Sequence, residues 1–347
     1  PRGYQKEVIS NALEHFKEND RGQLIMAPGT GKTFTSLKVA ESMAKESGQG
    51  TFKVLYLVPS IQLLTQTLRA WNNDTEMTIS SMAVTSDRNA SRGRVKQDES
   101  NLFVKATDIG FPATTSTEQV LKNWKELEQS EPTDLFVVFS TYQSIEVISK
   151  AQKELAKIYP EYSEFDLIIC DEAHRTTGAT FEGDDESKFV RIHNNDYVQG
   201  KKRLYMTATP RIYGDTAKET EGVTLCSMDD KSLYGEDLYV ITFSQAVKMG
   251  ILCDYKVIVL AVEESHINRQ LQGLLKDENN SLKVDDAAKI VGCWKALAKH
   301  GLSNPDGTAA KPMERAVAFC QVIEKEYKGK KHRKFDRRHI RSKGCPD

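Results

Sequence analysis

Five short apolar runs constrain this chain more than anything else in it: QLIMA (23–27), KVLYLV (53–58), DLFVVFS (134–140), FDLIICD (165–171) and RLYMTA (203–208). Each is rich in β-branched or aromatic residues, and none alternates apolar with polar in the manner of a half-exposed strand. Each therefore reads as a strand covered on both faces. Helical patterns separate them at 4–18, 32–46, 60–71, 117–129 and 143–157, and Ser116 and Gln119 stand at capping-box spacing before the fourth. Strands alternating with helices predict an α/β fold with a parallel sheet flanked by helices. Segments 73–133 and 211–237 read as long connections, the first with a polar surface excursion at 85–100.

The length of 347 residues suggests two domains. A boundary is expected near 240–253, where DYKVIVLAV (254–262) begins a new strand, followed by a helical segment at 266–300. The division is taken as 1–245 and 246–347. After residue 320 the apolar pattern fades into a run rich in Lys and Arg, and residue 1 is Pro, so the expectation is a piece of a longer protein with an incomplete second domain. A net charge of −1 does not point to a polyanion partner, although basic residues on one face would still suffice to bind one. The six cysteines form no CxxC pair, which argues against a zinc site or a disulfide framework and for a reducing, cytoplasmic setting. No stretch reaches the roughly 18 apolar residues of a membrane span, and no signal peptide opens the chain.

Between the first strand and the second helix lies MAPGTGKT (26–33). A tight glycine-rich turn there makes backbone N–H groups converge where a helix N-terminus adds positive potential, and such a site cradles phosphates. Gly29, Thr30 and Gly31 would wrap them, Lys32 would reach the outer phosphates, and Thr33 would offer a hydroxyl to Mg²⁺. The general pattern begins with glycine, where this chain has Met26. The plain alternative is a chance glycine-rich turn.

The run LIICDEAH ends in Asp171, Glu172, Ala173 and His174. Ligand sites of parallel sheets lie at the carboxyl ends of strands. Two adjacent carboxylates at such an end are costly unless solvated or paired with a cation, and Mg²⁺ is that cation. Asp171 would hold the metal, and Glu172 would orient or deprotonate an attacking water. The alternative is an exposed acidic turn.

Taken in order, MAPGTGKT, DEAH (171–174) and TATP (207–210) resemble motifs I, II and III of superfamily 2 helicases and translocases. YLVPSIQLLTQTLRAW (56–71) and VFSTYQSI (138–145) resemble motifs Ia and Ib, PRGYQKEVISNAL (1–13) the adenine-recognition motif, and RAVAFCQVIEK (315–325) motif IV. The segment LYGEDLYVITFSQAVKMGILCDYKV resembles the helicase part of type III-like and single-chain Type ISP restriction-modification enzymes. The resemblance implies a RecA-like P-loop domain followed by the start of a second, with ATP and Mg²⁺ as cofactors. It also implies double-stranded DNA as the partner, with nuclease and methyltransferase parts on the same or a partner chain.

The resemblance also assigns roles. Gln5, with Arg2 and Tyr4 beside it, would recognise adenine through its carboxamide. His174 would link the ATP site to motif III, where Thr207 and Thr209 relay nucleotide state. Pro59, Ser60 and Gln62, with Ser140, Thr141 and Tyr142, would meet the nucleic-acid backbone. Helix capping by Ser60 and Ser140 is the alternative. Arg69, Arg175 and Arg211 could add charge or simply be solvated. The acidic run at 182–186 reads as an exposed loop, and the basic tail at 328–343 as a disordered end or a nucleic-acid contact.

Two other readings stay open: a nucleotide-gated binding module, and an RNA helicase. The intact Asp171-Glu172 pair favours hydrolysis over a pure switch. Motors of this kind take arginine fingers from the second domain, worth ~10³–10⁵ in rate, and no Q-x-x-G-R-x-x-R pattern follows residue 320. The expected outcome is that this chain alone binds ATP weakly and turns it over slowly. A steady-state phosphate-release assay checks this, and robust duplex-stimulated turnover would contradict it.

Overall fold

The computed structural model describes residues 1–48, 50–85, 113–114, 116–128, 133–158, 164–181, 188–214, 223–255, 292–299, 308 and 311–313. Contacts divide the chain into Pro1–Cys253 and Asp254–Asp347. In the second unit the description covers a short helix at 292–297 and its surroundings. The strand expected at 254–262 beyond Tyr255, the motif IV segment at 315–325, the basic tail, the acidic run at 182–186 and the excursion at 86–100 lie outside the described residues.

The first unit runs α1 (Gly3–Glu18), β1 (Arg21–Met26), α2 (Lys32–Ser47), β2 (Phe52–Val58), α3 (Ile61–Asp74), β3 (Ile79–Val84) and β4 (Ala113–Thr114). It continues α4 (Thr117–Glu128), β5 (Leu135–Thr141), α5 (Ile145–Ile158), β6 (Phe165–Asp171), β7 (Gly178–Phe181) and β8 (Gly200–Thr207). It ends β9 (Val223–Cys226), α6 (Lys231–Tyr234), β10 (Glu236–Ile241) and α7 (Phe243–Lys248). Eight strands form one sheet in the order β10-β1-β8-β6-β2-β5-β3-β4, and every pairing in it is parallel. β7 and β9 make a separate antiparallel ribbon.

The near-continuous apolar runs have their reason in the two-sided cover. Along β2, Val54, Tyr56 and Val58 join a core with Leu37 of α2 and Leu64, Leu68 and Trp71 of α3. Leu55 and Leu57, pointing the other way, join Val120 and Trp124 of α4 and Ile145 and Ile148 of α5. This is the RecA-like α/β architecture.

Four strands lie wholly or partly where connections were expected: β3 and β4 in the first, β9 and the start of β10 in the second. β3 falls inside 73–133 and pairs with β5; its first three residues are only half-buried, so Ile79-Ser80-Ser81 lacks a strand's apolar signature. β10 overlaps the polar stretch that ended at 237 and is an edge strand, with Glu236 and Asp237 exposed. The expected division at 245 falls within α7. Ala246 of α7 is buried in the first core and Ile251 and Leu252 pack against it, so the first unit continues to Cys253.

The edges of the sheet opposite the strand carboxyl ends are tied by guanidinium groups. Arg203 at the start of β8 is 1% exposed and donates to the carbonyls of Ile192, Val198 and Gly200 and to Asn195 Oδ1. Its register partner Arg21 on β1 donates to the carbonyls of His193 and Leu233. Gly235, between α6 and β10, sits at φ +75°, and a Cβ there would collide with the Arg21 carbonyl. Gly235→Ala is expected to lower unfolding free energy by roughly 3 kcal/mol, from strain and displaced backbone together. Chemical denaturation of the two proteins checks it.

Candidate active site

The strands β1, β8 and β6 lie side by side, so the segments that follow them emerge together. Met206 pairs with Leu24 on one side and with Asp171 on the other. That register brings residues 26–33, 171–174 and 207–209 to one edge of the sheet.

After β1 the chain makes a tight loop. Ala27 N–H donates to the Ile241 carbonyl, closing the loop onto β10. The buried Thr30 hydroxyl donates to the Ala27 carbonyl at 2.7 Å, and the Tyr4 hydroxyl donates to the Thr30 carbonyl. Gly29 and Gly31 have φ near +81° and +82°, and Gly31 is the N-cap of α2. Added Cβ atoms would meet Leu252 from Gly29 and the Gln5 carboxamide, at 3.0 Å, from Gly31. Both positions therefore require glycine. Half-buried Lys32 donates from Nζ to the Met26 carbonyl at 3.2 Å, which folds it back over the loop, and half-buried Thr33 occupies the first turn of α2.

Beside the loop lies an open cleft of about 410 Å³ lined by Pro1, Arg2, Tyr4, Gln5, Gly29, Thr30, Gly31 and Phe34. Arg2 is exposed on it. Gln5 is buried and bridges two elements: its Oε1 accepts from Arg2 N–H at 2.9 Å, and its Nε2 donates to Thr35 Oγ1 at 3.1 Å. One N–H and one lone pair of the carboxamide are left for a base edge.

After β6, Asp171 is buried and its Oδ1 accepts from Glu172 N–H at 2.9 Å. The buried Tyr56 hydroxyl donates to its Oδ2 at 3.4 Å, and the buried Tyr142 hydroxyl to its carbonyl at 2.8 Å. Neither tyrosine was foreseen as a partner of Asp171. For Tyr56 the usable signal is a hydroxyl inside the otherwise apolar run VLYLV; Tyr142, among Ser140, Thr141 and Gln143, carries no such signal. Burial pushes the Asp171 carboxyl up to about 6, and the Glu172 carboxylate adds to this; Lys32 acts the other way. Glu172 has a left-handed backbone at φ 51° and is half-buried. His174 Nδ1 lies 2.9 Å from Thr207 Oγ1 and 3.4 Å from Glu172 Oε2, and Thr207 Oγ1 accepts from Thr209 N–H. Burial lowers the His174 pKa from its ordinary value, with the Glu172 carboxylate acting the other way.

The expected nucleic-acid contacts divide. Ser60 caps α3, its Oγ accepting from Leu63 N–H, and Gln62 is exposed beside it. Pro59 is buried, and its carbonyl accepts from Gln143 Nε2. Ser140 and Thr141 point inward: the Ser140 hydroxyl donates to the Thr141 carbonyl, and Thr141 Oγ1 is 2.9 Å from Ser144 Oγ. Tyr142 is turned to Asp171. As the structure stands, these three side chains do not reach the surface.

The donor set fits Mg²⁺. A buried carboxylate whose proton affinity is raised by a second one, with a hydroxyl at the adjacent helix start, is what a hard cation relieves. Among the described residues no group of three His, Cys, Asp or Glu side chains gathers as a metal cage.

The parallel sheet, the glycine cradle and the acidic pair at neighbouring strand ends define a superfamily 2 helicase-type motor domain. The chain belongs to the family described as Type III restriction enzyme, res subunit, whose model matches residues 1–212. It is similar to the Type I restriction enzyme EcoAI endonuclease subunit of Escherichia coli, 24% identical over 93% of this chain and 33% of that protein. It is also similar to the probable helicase A859L of African swine fever virus, 27% identical over 75% of this chain and 24% of that one. Among solved structures, the ATP-dependent Type ISP restriction-modification enzyme LlaBIII bound to DNA is 52% identical, with a TM-score of 0.76 over 93% of this chain and 20% of that one. A nuclease-deletion mutant of the Type ISP enzyme LlaGI, in complex with a DNA substrate mimic, is 57% identical, with a TM-score of 0.58 over 74% of this chain and 18% of that one. The chain thus spans a third or less of the length of these relatives.

Behind the acidic turn, His193 Nε2–H donates to the carbonyl of Thr176, and its Nδ1 accepts from the Tyr205 hydroxyl. Burial, with Arg21 and Arg203 near, lowers its pKa from 6.5 to about 4. As pH falls from 6.5 towards 4, the unfolded chain takes up a proton that the native chain resists, so this group withdraws stability. Asp171, raised from 3.8 to about 6, does the reverse over its own range. His193→Gln removes only the first effect. Between pH 7 and pH 5 the variant is expected to lose about 2 kcal/mol less stability than the parent, read from denaturant midpoints at the two pH values.

Proposed function

We propose that this chain is the ATP-hydrolysing part of a restriction system that moves on duplex DNA. The observation that supports this best is the placement of Lys32, the Asp171-Glu172 pair and the His174–Thr207 bond on three adjacent strand ends. Gly29, Thr30, Gly31 and Lys32 bind the triphosphate, while Arg2 and Gln5 bind the base at the cleft. Thr33 and Asp171 would hold Mg²⁺, which when bound supplies positive charge to the outer phosphates. Glu172 takes the proton of the attacking water. His174 and Thr207 carry nucleotide state towards Thr209. Ser60 and Gln62 contact the DNA backbone. DNA as partner is supported by the Type ISP relatives, LlaBIII bound to DNA and LlaGI in complex with a DNA substrate mimic. Nuclease and methyltransferase chemistry is assigned to other parts of the system, on the same or a partner chain.

The test is nucleotide binding and ATP hydrolysis with Mg²⁺, alone and with duplex DNA, single-stranded DNA or RNA. Lys32→Ala is expected to weaken nucleotide binding at least tenfold, and Glu172→Gln to leave binding in place while cutting turnover by about 10² or more. Nucleotide binding indifferent to Lys32 would refute the phosphate site. Stimulation by RNA rather than duplex DNA would reassign the track.

A further inference from the structure

Tyr142 has a hydroxyl that the proposed chemistry does not use. It directly follows β5 and opens the 3-10 turn Tyr142–Ser144, and it is fully buried. Its hydroxyl donates at 2.8 Å to the carbonyl of Asp171, the peptide that joins the two acidic residues. The ring is fixed in the core with Ile145 and Ala173, and lies 5.1 Å from Phe189. The next residue, Gln143, donates from Nε2 to the Pro59 carbonyl at 3.3 Å, one residue before Ser60. Its Oε1 is buried and has no partner among the described residues. One turn therefore grips two loops, the one after β2 and the one after β6. The strand order β6-β2-β5 makes that possible.

We infer that Tyr142 and Gln143 form a strut through which DNA at the Ser60–Gln62 surface displaces the Asp171–Glu172 peptide, with Tyr142 as a positioning residue. The inference rests on the function proposed above. A turn bonded to both loops cannot let Pro59 shift without pulling on Asp171. The Tyr142 and Gln143 bonds thus place one turn between the loop that carries Ser60 and the peptide that joins the two acidic residues. A coupling of this kind is reciprocal: DNA must change nucleotide affinity by the factor by which nucleotide changes DNA affinity.

The experiment uses the full chain, a fluorescent non-hydrolysable ATP analogue with Mg²⁺, and duplex DNA of about 30 base pairs. The ratio of nucleotide Kd without and with saturating duplex is measured for the parent and for Tyr142→Phe, which keeps the ring and removes only the hydroxyl. The parent ratio is expected to differ from one by about fivefold or more, and the variant ratio to fall within about twofold of one. A variant that keeps the parent ratio overturns the strut, including one that merely melts at lower temperature. A parent that binds both ligands with a ratio of one overturns it too. A parent that binds no nucleotide or no duplex fails the proposed function itself, which separates the two failures. Hydrogen exchange of the 171–174 amides needs no variant: duplex is expected to change their protection, and unchanged exchange rejects the strut.

Discussion

The shared pairing of Met206, with Leu24 on β1 and with Asp171 on β6, fixes where the chemistry can occur. Side chains alternate along a strand, so a slip of one residue in β8 would turn Thr207 to the opposite face and break its bond to His174. It would also lift Met206 and Leu204 out of their core and drive Tyr205 into it. The apolar pattern of the two faces thus protects the register, and the register aligns the three segments. Arg203 and Arg21 pin the far ends of the same strands to carbonyls of the flanking loops. Hydrophobic burial chooses the face, and the buried guanidinium bonds hold the strand ends.

On that frame the electrostatics at Asp171 are deliberately incomplete. Its carboxyl is lifted from 3.8 to about 6, which places about 3 kcal/mol against its ionisation. Desolvation and the Glu172 charge exceed what Lys32, the Glu172 N–H and Tyr56 return. Lys32 meanwhile is held to the Met26 carbonyl, a neutral acceptor. An anion in the glycine loop would draw Lys32 forward, and a divalent cation beside Asp171 would release the penalty on its charge. A lysine that can meet an anion and a carboxylate that a cation would relieve thus stand near each other, which suits the metal-bound triphosphate proposed above.

How much of this was legible in the sequence follows from which interactions are local. The five buried strands were readable because two-sided cover demands unbroken apolar runs, and β6 ends at Asp171 as read. β3 and β10 were not, because Ile79-Ser80-Ser81 is half-exposed and β10 sits at an edge, so neither carries the signal. The glycine loop was legible as a tight turn between strand and helix, and the structure puts Gly29 and Gly31 in left-handed conformations there. The hydroxyls of Ser140 and Thr141 were misplaced because a strand-end residue can turn inward or outward, and only the packing of the turn against β6 decides it. Tyr56 and Tyr142 were missed as partners of Asp171 for the same reason: one lies on β2 and the other just after β5, and their bonds to Asp171 exist only once the strand order is known.

The backbone at Glu172 shows what these long-range bonds achieve. A non-glycine residue in the left-handed region costs of order 1–2 kcal/mol, yet Glu172 holds φ 51°. Its N–H is taken by Asp171 Oδ1 and its carbonyl by Arg175 N–H, so both peptides beside it are occupied. The Tyr142 bond fixes the preceding carbonyl, and Thr176, bonded to Tyr234 and to His193, fixes the end of the turn. An extended Glu172 would continue β6 and carry its carboxylate away from His174. The left-handed kink instead ends the strand and sets Glu172 Oε2 3.4 Å from His174 Nδ1. The strain is therefore what separates the surroundings of two neighbouring carboxylates: Asp171 stays buried in the sheet, and Glu172 is turned out to the half-open side, as the roles proposed for them require.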